Sequence, residues 1–185
     1  RGLALQTGVD YLAIPGVTDS GDNDYHAQMA GALKALGEYD VVFVHVEAPD
    51  DASHAGDIAG KVQSIENVDA LMVPQVIALQ ERLAAGAAAA SAGGGGKAAG
   101  AGRAEGAGKG EGVRLLVLPD HPTPLELKTH AAEPVPFVMW GSGCAANGAQ
   151  AYSETEARAT GLAVTSGHRL MSLFLEETHP SKSGA

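Results

Sequence analysis

Apolar residues in this chain fall into two kinds of run, and the alternation between them predicts the fold. Asp10 to Ile14, Val41 to Val46, Val113 to Leu118 and Val135 to Trp140 are short runs dominated by apolar and β-branched residues. The second and third are continuous enough to predict strands buried on both faces. Elsewhere the apolar positions recur at helical spacing. Met29, Ala32, Leu33 and Leu36 mark a helix from Tyr25 to Leu36. Ile58, Val62, Ile65, Met72, Val76, Leu79 and Leu83 mark a longer one, which Pro74 should kink or divide because it lacks a backbone donor and crowds the preceding turn. Ser153 to Thr160 predicts a short helix with Ser153 as N-cap and Glu156 at N3. A last helix, His168 to Glu176, should bury Leu170, Met171, Phe174 and Leu175. Strand, helix, strand, helix, strand is the order of an α/β fold with a mainly parallel sheet flanked by helices.

One stretch has neither pattern. Residues 84–112 contain only Ala, Gly, Ser, Lys, Arg and Glu, so they cannot fill a core and are costly to order. They read as a flexible surface insertion whose first alanines extend the preceding helix. Residues 1–83 and 113–179 then form one core domain, and 180–185 a tail.

Composition narrows the function. Twelve Lys and Arg against 22 Asp and Glu give a formal charge of -10, which disfavours nucleic acid and anionic membranes as partners. An acidic chain still binds anionic substrates where metal ions supply positive charge. No apolar run approaches the ~20 residues of a membrane span. Cys144 is alone, so no intramolecular disulfide forms, and a reducing compartment such as the cytoplasm is expected, with a plastid or another compartment left open. Nothing around Cys144 suggests a nucleophile.

In α/β sheets, functional loops lie beyond the carboxyl ends of the strands. The run 41–46 leads into Glu47-Ala48-Pro49-Asp50-Asp51-Ala52-Ser53-His54. If Pro49 opens a helical turn, Asp50 and His54 stand at i and i+4 and face the same way. The run 113–118 leads into Pro119-Asp120-His121, and His130 stands shortly before the next strand. Carboxylate with imidazole is a donor set for Mn²⁺, Zn²⁺ or Co²⁺. Asp50, His54, Asp120, His121 and His130 are therefore the expected metal ligands. His45 and Glu47, inside and at the end of a strand, are expected as core or supporting residues that orient the ligands. His26, His168 and His179 are expected to face solvent.

The segment His45 to Gly56 resembles a signature of the archaeal-type cofactor-independent (2,3-bisphosphoglycerate-independent) phosphoglycerate mutases, within the alkaline phosphatase superfamily of metalloenzymes. So do Leu118 to Pro124, Thr129-His130 and Pro134 to Phe137. The resemblance implies an alkaline-phosphatase-like core and two divalent ions, Mn²⁺ favoured, with Zn²⁺, Co²⁺ or Mg²⁺ as alternatives. It implies one ion on Asp50, His54 and His130, and the second on Asp120 and His121. The family's phosphorylated Ser or Thr and its N-terminal Asp ligand have no counterpart motif here. Members are also about twice as long, so the chain is expected to be the C-terminal part of such an enzyme, inactive alone and partnered by the missing N-terminal part. The implied reaction interconverts 3- and 2-phosphoglycerate through a phospho-enzyme. The alternatives are a related phosphotransferase or phosphatase with another small phosphorylated substrate, and a non-catalytic metal-binding fragment.

Overall fold

The computed structural model describes residues 2–92 and 112–175. The greater part of the insertion, Glu176, His179 and the tail lie outside the described residues.

Helices dominate. After a short helix α1 (Gly2–Thr7), α2 (Tyr25–Ala35) begins where Asp24 caps it, accepting from the Ala27 amide at 2.9 Å. Its buried Tyr25, Met29 and Ala32 form the core with Met72 and Val76. α3 (Ala48–Ala55) carries Pro49 in its first turn, as its sequence predicts, and ends on Gly56 in the left-handed region at φ 75°. The turn leads at once into α4 (Ile58–Asn67), capped by Asp57, whose carboxylate accepts from the Gly60 amide at 3.0 Å.

Between α4 and α5 (Val73–Ala92) lies a π-helical turn, Val68–Met72. The Val73 amide donates to the Val68 carbonyl, and the widened turn sits just before Pro74, which has no amide to donate. The division predicted at Pro74 thus takes the form of a widened turn in a continuous helical stretch. α5 runs on through the first alanines of the low-complexity stretch.

The sheet departs from expectation. Strands β1 (Arg114–Val117) and β2 (Val138–Gly141) pair antiparallel, Leu115 opposite Trp140 and Leu116 opposite Met139, and no parallel sheet forms among the described residues. A parallel return needs a long crossover, usually a helix. Here the connection carries Pro119, Pro122, Pro124, Pro134 and Pro136, so it cannot sustain one.

Val41–Val46 takes no place in a ladder among the described residues. Val42, Val44 and Val46 pack on the core, whereas the Phe43 side of the run is open, with Phe43 itself 69% exposed. The run is buried on one face and not on two, because β-branched residues at nearly every position hide a period of two. Asp10–Ile14 forms no strand, and Tyr11 and Leu12 are exposed.

α6 (Glu154–Ala159) carries the predicted Ser153 cap, with the Glu156 amide donating to the hydroxyl at 3.3 Å. The last helix begins as a 3₁₀ turn (Gly167–Arg169) and continues as α7 (Leu170–Leu175). It half-buries Leu170, Met171 and Phe174, but Leu175 is exposed. No described helix is long and apolar enough to cross a membrane.

Candidate metal centre

α3 places Asp50 and His54 one turn apart on one face, with the carboxylate Oδ2 3.2 Å from His54 Nε2. The helix is anchored beneath them. Ser53 is fully buried and its hydroxyl donates to the Pro49 carbonyl at 2.6 Å. The Lys61 ammonium on α4 donates to the Thr123 carbonyl at 2.8 Å and ties the helical pair to the loop after β1.

That loop brings in His130. The Lys128 amide donates to Pro124 O at 2.9 Å, and the Ala131 amide to Pro122 O at 2.9 Å, folding the segment back over α3. His130 Nε2 arrives 3.1 Å from His54 Nε2 and 3.8 Å from Asp50 Oδ1. Asp50, His54 and His130 can thus each offer a ligand atom within 4.8 Å of the others. Among the described residues this is the one group of three or more metal-type side chains so placed.

The protons on these rings follow from their partners. His54 Nδ1 lies 2.9 Å from the Lys128 carbonyl oxygen, which can only accept. In the neutral ring Nδ1 therefore carries the hydrogen, and Nε2 presents its lone pair to Asp50 and His130. Electron-rich atoms converging at such distances repel unless a proton or a metal cation lies among them. Two imidazoles and a carboxylate, the first oriented by a backbone carbonyl, are a donor set suited to a divalent first-row cation.

Thr123 joins this group to the other two expected ligands. Buried to 6% exposure, its hydroxyl donates to Asp50 Oδ1 at 2.5 Å and lies 3.2 Å from His121 Nδ1. Partial burial pushes the Asp50 carboxyl up. The hydrogen bond from Thr123 and the neighbouring His54, His130 and His121 outweigh that, so it sits below the ordinary aspartate value. His121 stacks on His130, with centroids 3.7 Å apart and planes at 29°. Asp120 is 80% exposed at its side chain and pairs with His121 at 3.4 Å. The five expected ligands are thus brought to one place, three as a converging cluster and two as an adjoining open pair.

His45 and Glu47 are placed differently. His45 is 74% exposed at its side chain, not in the core, and pairs with Glu47 at 3.2 Å. The pair lines a cleft of about 630 Å³ with Asp19, Ser20 and Asp51. No described hydrogen bond ties it to Asp50, His54 or His130.

Sequence reasoning passed over Thr123 and Lys128. Thr123 lies within the motif after β1, and a hydroxyl two residues beyond the Asp-His pair was the available signal. Lys128 acts through a backbone carbonyl, which no residue type announces.

Residues 6–84 and 107–177 match the metalloenzyme superfamily. A probable 2,3-bisphosphoglycerate-independent phosphoglycerate mutase of Geobacter sulfurreducens is 36% identical over 177 residues, covering 95% of this chain and 38% of the relative. A 2,3-bisphosphoglycerate-independent phosphoglycerate mutase of Methanothermobacter thermautotrophicus is 35% identical, covering 95% of this chain and 37% of the relative. The chain therefore spans well under half the length of these curated relatives. A solved structure of a Pyrococcus horikoshii protein superposes with a TM-score of 0.75 at 24% identity, covering the whole of this chain and 47% of that one. The fold is shared with it, alkaline-phosphatase-like with helices and a small antiparallel sheet.

Proposed function

The chain belongs to the metalloenzyme superfamily, and on that premise we propose that it carries the metal-binding half of a phosphoglycerate mutase that interconverts 3- and 2-phosphoglycerate without a bisphosphoglycerate cofactor. The observation that carries this reading is the convergence of Asp50, His54 and His130 within 4.8 Å. In the proposal these three hold one divalent ion, and Asp120 and His121 contribute to a second. Mn²⁺ is the proposed occupant, with Zn²⁺, Co²⁺ and Mg²⁺ as its rivals. Two such ions, when bound, supply positive charge to the attacking and leaving oxygens of phosphoryl transfer.

This chain's own residues prepare the site. Thr123 donates to the Asp50 carboxylate and aims it, and its position between Asp50 and His121 ties the two ligand groups into one unit. The Lys128 carbonyl keeps the His54 proton on Nδ1 and away from the site. Asp120 is open to solvent, so its pair with His121 has room for further ligands. We assign those ligands, and the Ser or Thr that takes up the phosphoryl group, to residues of the protein beyond this chain. The relatives' greater length supports the assignment, as do the exposed side chains of Tyr11, Leu12 and Phe43 and the absence of a ladder partner for 41–46 among the described residues.

The test is a panel of phosphate esters offered to the complete protein with Mn²⁺. Interconversion of 2- and 3-phosphoglycerate supports the proposal. Turnover of another ester with no interconversion would replace it with a sister phosphotransferase or phosphatase. Brisk mutase activity from the 185-residue chain alone would refute the assignment of the nucleophile elsewhere.

A further inference from the structure

Lys128 is the one described residue other than glycine with positive φ, at 54°. A long side chain rarely adopts this left-handed conformation, because its Cβ crowds the backbone, and such residues persist where surrounding contacts hold them. Here the contacts run to α3. The Lys128 ammonium donates to the Ala55 carbonyl at 3.2 Å, an acceptor in the last turn of the helix that bears Asp50 and His54. The side chain crosses the face of Gly56, where a Cβ would stand 2.5 Å from Lys128 Cε and 2.6 Å from its Nζ. The same residue's carbonyl receives His54 Nδ1 at 2.9 Å. One residue thus holds the end of the helix with its side chain and orients a ligand on that helix with its backbone.

We propose that Lys128 is a positioning residue for the metal centre: its ammonium, anchored on Ala55 across Gly56, keeps the backbone left-handed so that its carbonyl fixes the proton of His54 on Nδ1. The cause of the effect is local. The favourable cation at a helix C-terminus offsets the cost of the left-handed backbone. Without the ammonium, the non-glycine backbone relaxes to negative φ and turns the carbonyl. His54 then loses the acceptor that selects its tautomer, and Nε2 carries the hydrogen for part of the time. A cation must displace that hydrogen to bind. The inference rests on the proposal that Asp50, His54 and His130 take a cation, but its first readout does not need one.

Two substitutions separate the backbone from the side chain. Lys128→Met keeps the length and the Cβ and removes the charge, whereas Lys128→Gly removes the charge and the conformational penalty together. The His54 tautomer is read by long-range ¹H–¹⁵N NMR of the metal-free chain at alkaline pH, where the imidazole signals no longer change with pH. Affinity is read by titrating Co²⁺ and following its visible absorption, and thermal melts verify that each variant is folded. In wild type, His54 is expected as the Nδ1–H form. Lys128→Met should mix the tautomers and weaken Co²⁺ by about tenfold or more, the scale of losing a partner that orients a ligand. Lys128→Gly should keep the Nδ1–H form and stay within about threefold of wild-type affinity, since glycine adopts the required backbone without strain. The proposal is overturned if Lys128→Met keeps the wild-type tautomer, whatever its affinity, or if Lys128→Gly loses the tautomer as fully as Lys128→Met. Should wild type show the expected tautomer yet fail to take up Co²⁺, the metal-site proposal fails while the NMR arm still decides the role of Lys128.

Discussion

Replacing Thr123 with valine removes one oxygen from the centre of the site and leaves its shape almost unchanged. Thr123 is buried, and its hydroxyl is the group that engages Asp50 Oδ1, at 2.5 Å. A hydrogen bond to a charged group contributes about 1.5–3 kcal/mol. The Asp50 side chain retains 26% exposure, so water recovers part of that loss in the variant and the lower end of the range applies. A cost of about 1–2 kcal/mol lowers Tm by roughly 2–8 °C in a domain of this size.

The pH dependence of that cost distinguishes this bond from a general packing defect. The folded-state pKa of Asp50 is depressed, so its stabilisation is fully present above the unfolded value, 3.8, and is lost as pH falls through the lower folded value. Thermal melts of wild type and Thr123→Val should therefore differ at pH 7 and at pH 5, begin to approach one another below 3.8, and converge only as pH falls through the depressed folded value. No difference at pH 7 would refute the reasoning, as would a difference that does not narrow at any pH below 3.8 where the folded protein can still be melted. Divalent-cation affinity should fall about 10–100-fold at neutral pH, the range seen when a ligand loses its supporting hydrogen bond.

Other perturbations probe separate parts of the structure. Burial, and after it the nearby Glu154 carboxylate, push the Tyr152 phenol up to about 12, and its hydroxyl donates to the Pro136 carbonyl at 3.1 Å. The raised pKa contributes stability that is present below the unfolded phenol value of 10.0 and is lost as pH climbs toward 12. In an absorbance titration at ~295 nm, Tyr152→Phe should remove a phenol that ionises later than an ordinary one; loss of a phenol titrating near 10 would contradict the assignment. Gly141, at φ 112°, closes β2 where a Cβ would collide with the Val113 carbonyl. Gly141→Ala should cost about 1–3 kcal/mol for the backbone conformation and more for the collision, seen as a lower urea midpoint; an unchanged midpoint would rule that out.

How far the sequence carried the structure depends on the range of the interactions involved. Helices were legible because their signals are local: Ser153 at a cap, Pro49 at a first turn, Met29 and Ala32 one helical step apart. The sheet was not, because pairing direction depends on what the connecting segment can form. The prolines between β1 and β2 contain that information, and a count of apolar runs does not read it. Val41–Val46 was misread because its outward positions, Phe43 and His45, are flanked by valines on both sides.

The ligand set followed the same division. Asp50 and His54 stand on one helix, so their shared face follows from spacing alone. Their meeting with His130 depends on a loop that folds back through Lys128 and Ala131; in the sequence, placement around the strand ends gathered the five residues, and only the family resemblance grouped these three on one ion. Thr123 as the link, and a backbone carbonyl as the partner of His54, emerge only from three-dimensional structure.

Asp50, His54 and His130 are proposed to hold a divalent cation. The most direct test is the metal content of the purified protein by mass spectrometry after incubation with Mn²⁺ and desalting, for wild type, His54→Ala and His121→Ala. Wild type should retain stoichiometric metal. His54→Ala should lose the ion of the converging cluster, while His121→Ala should retain it and lose only metal held by the Asp120–His121 pair. A wild-type protein that retains no metal, or a His54→Ala variant that retains as much as wild type, would contradict the account.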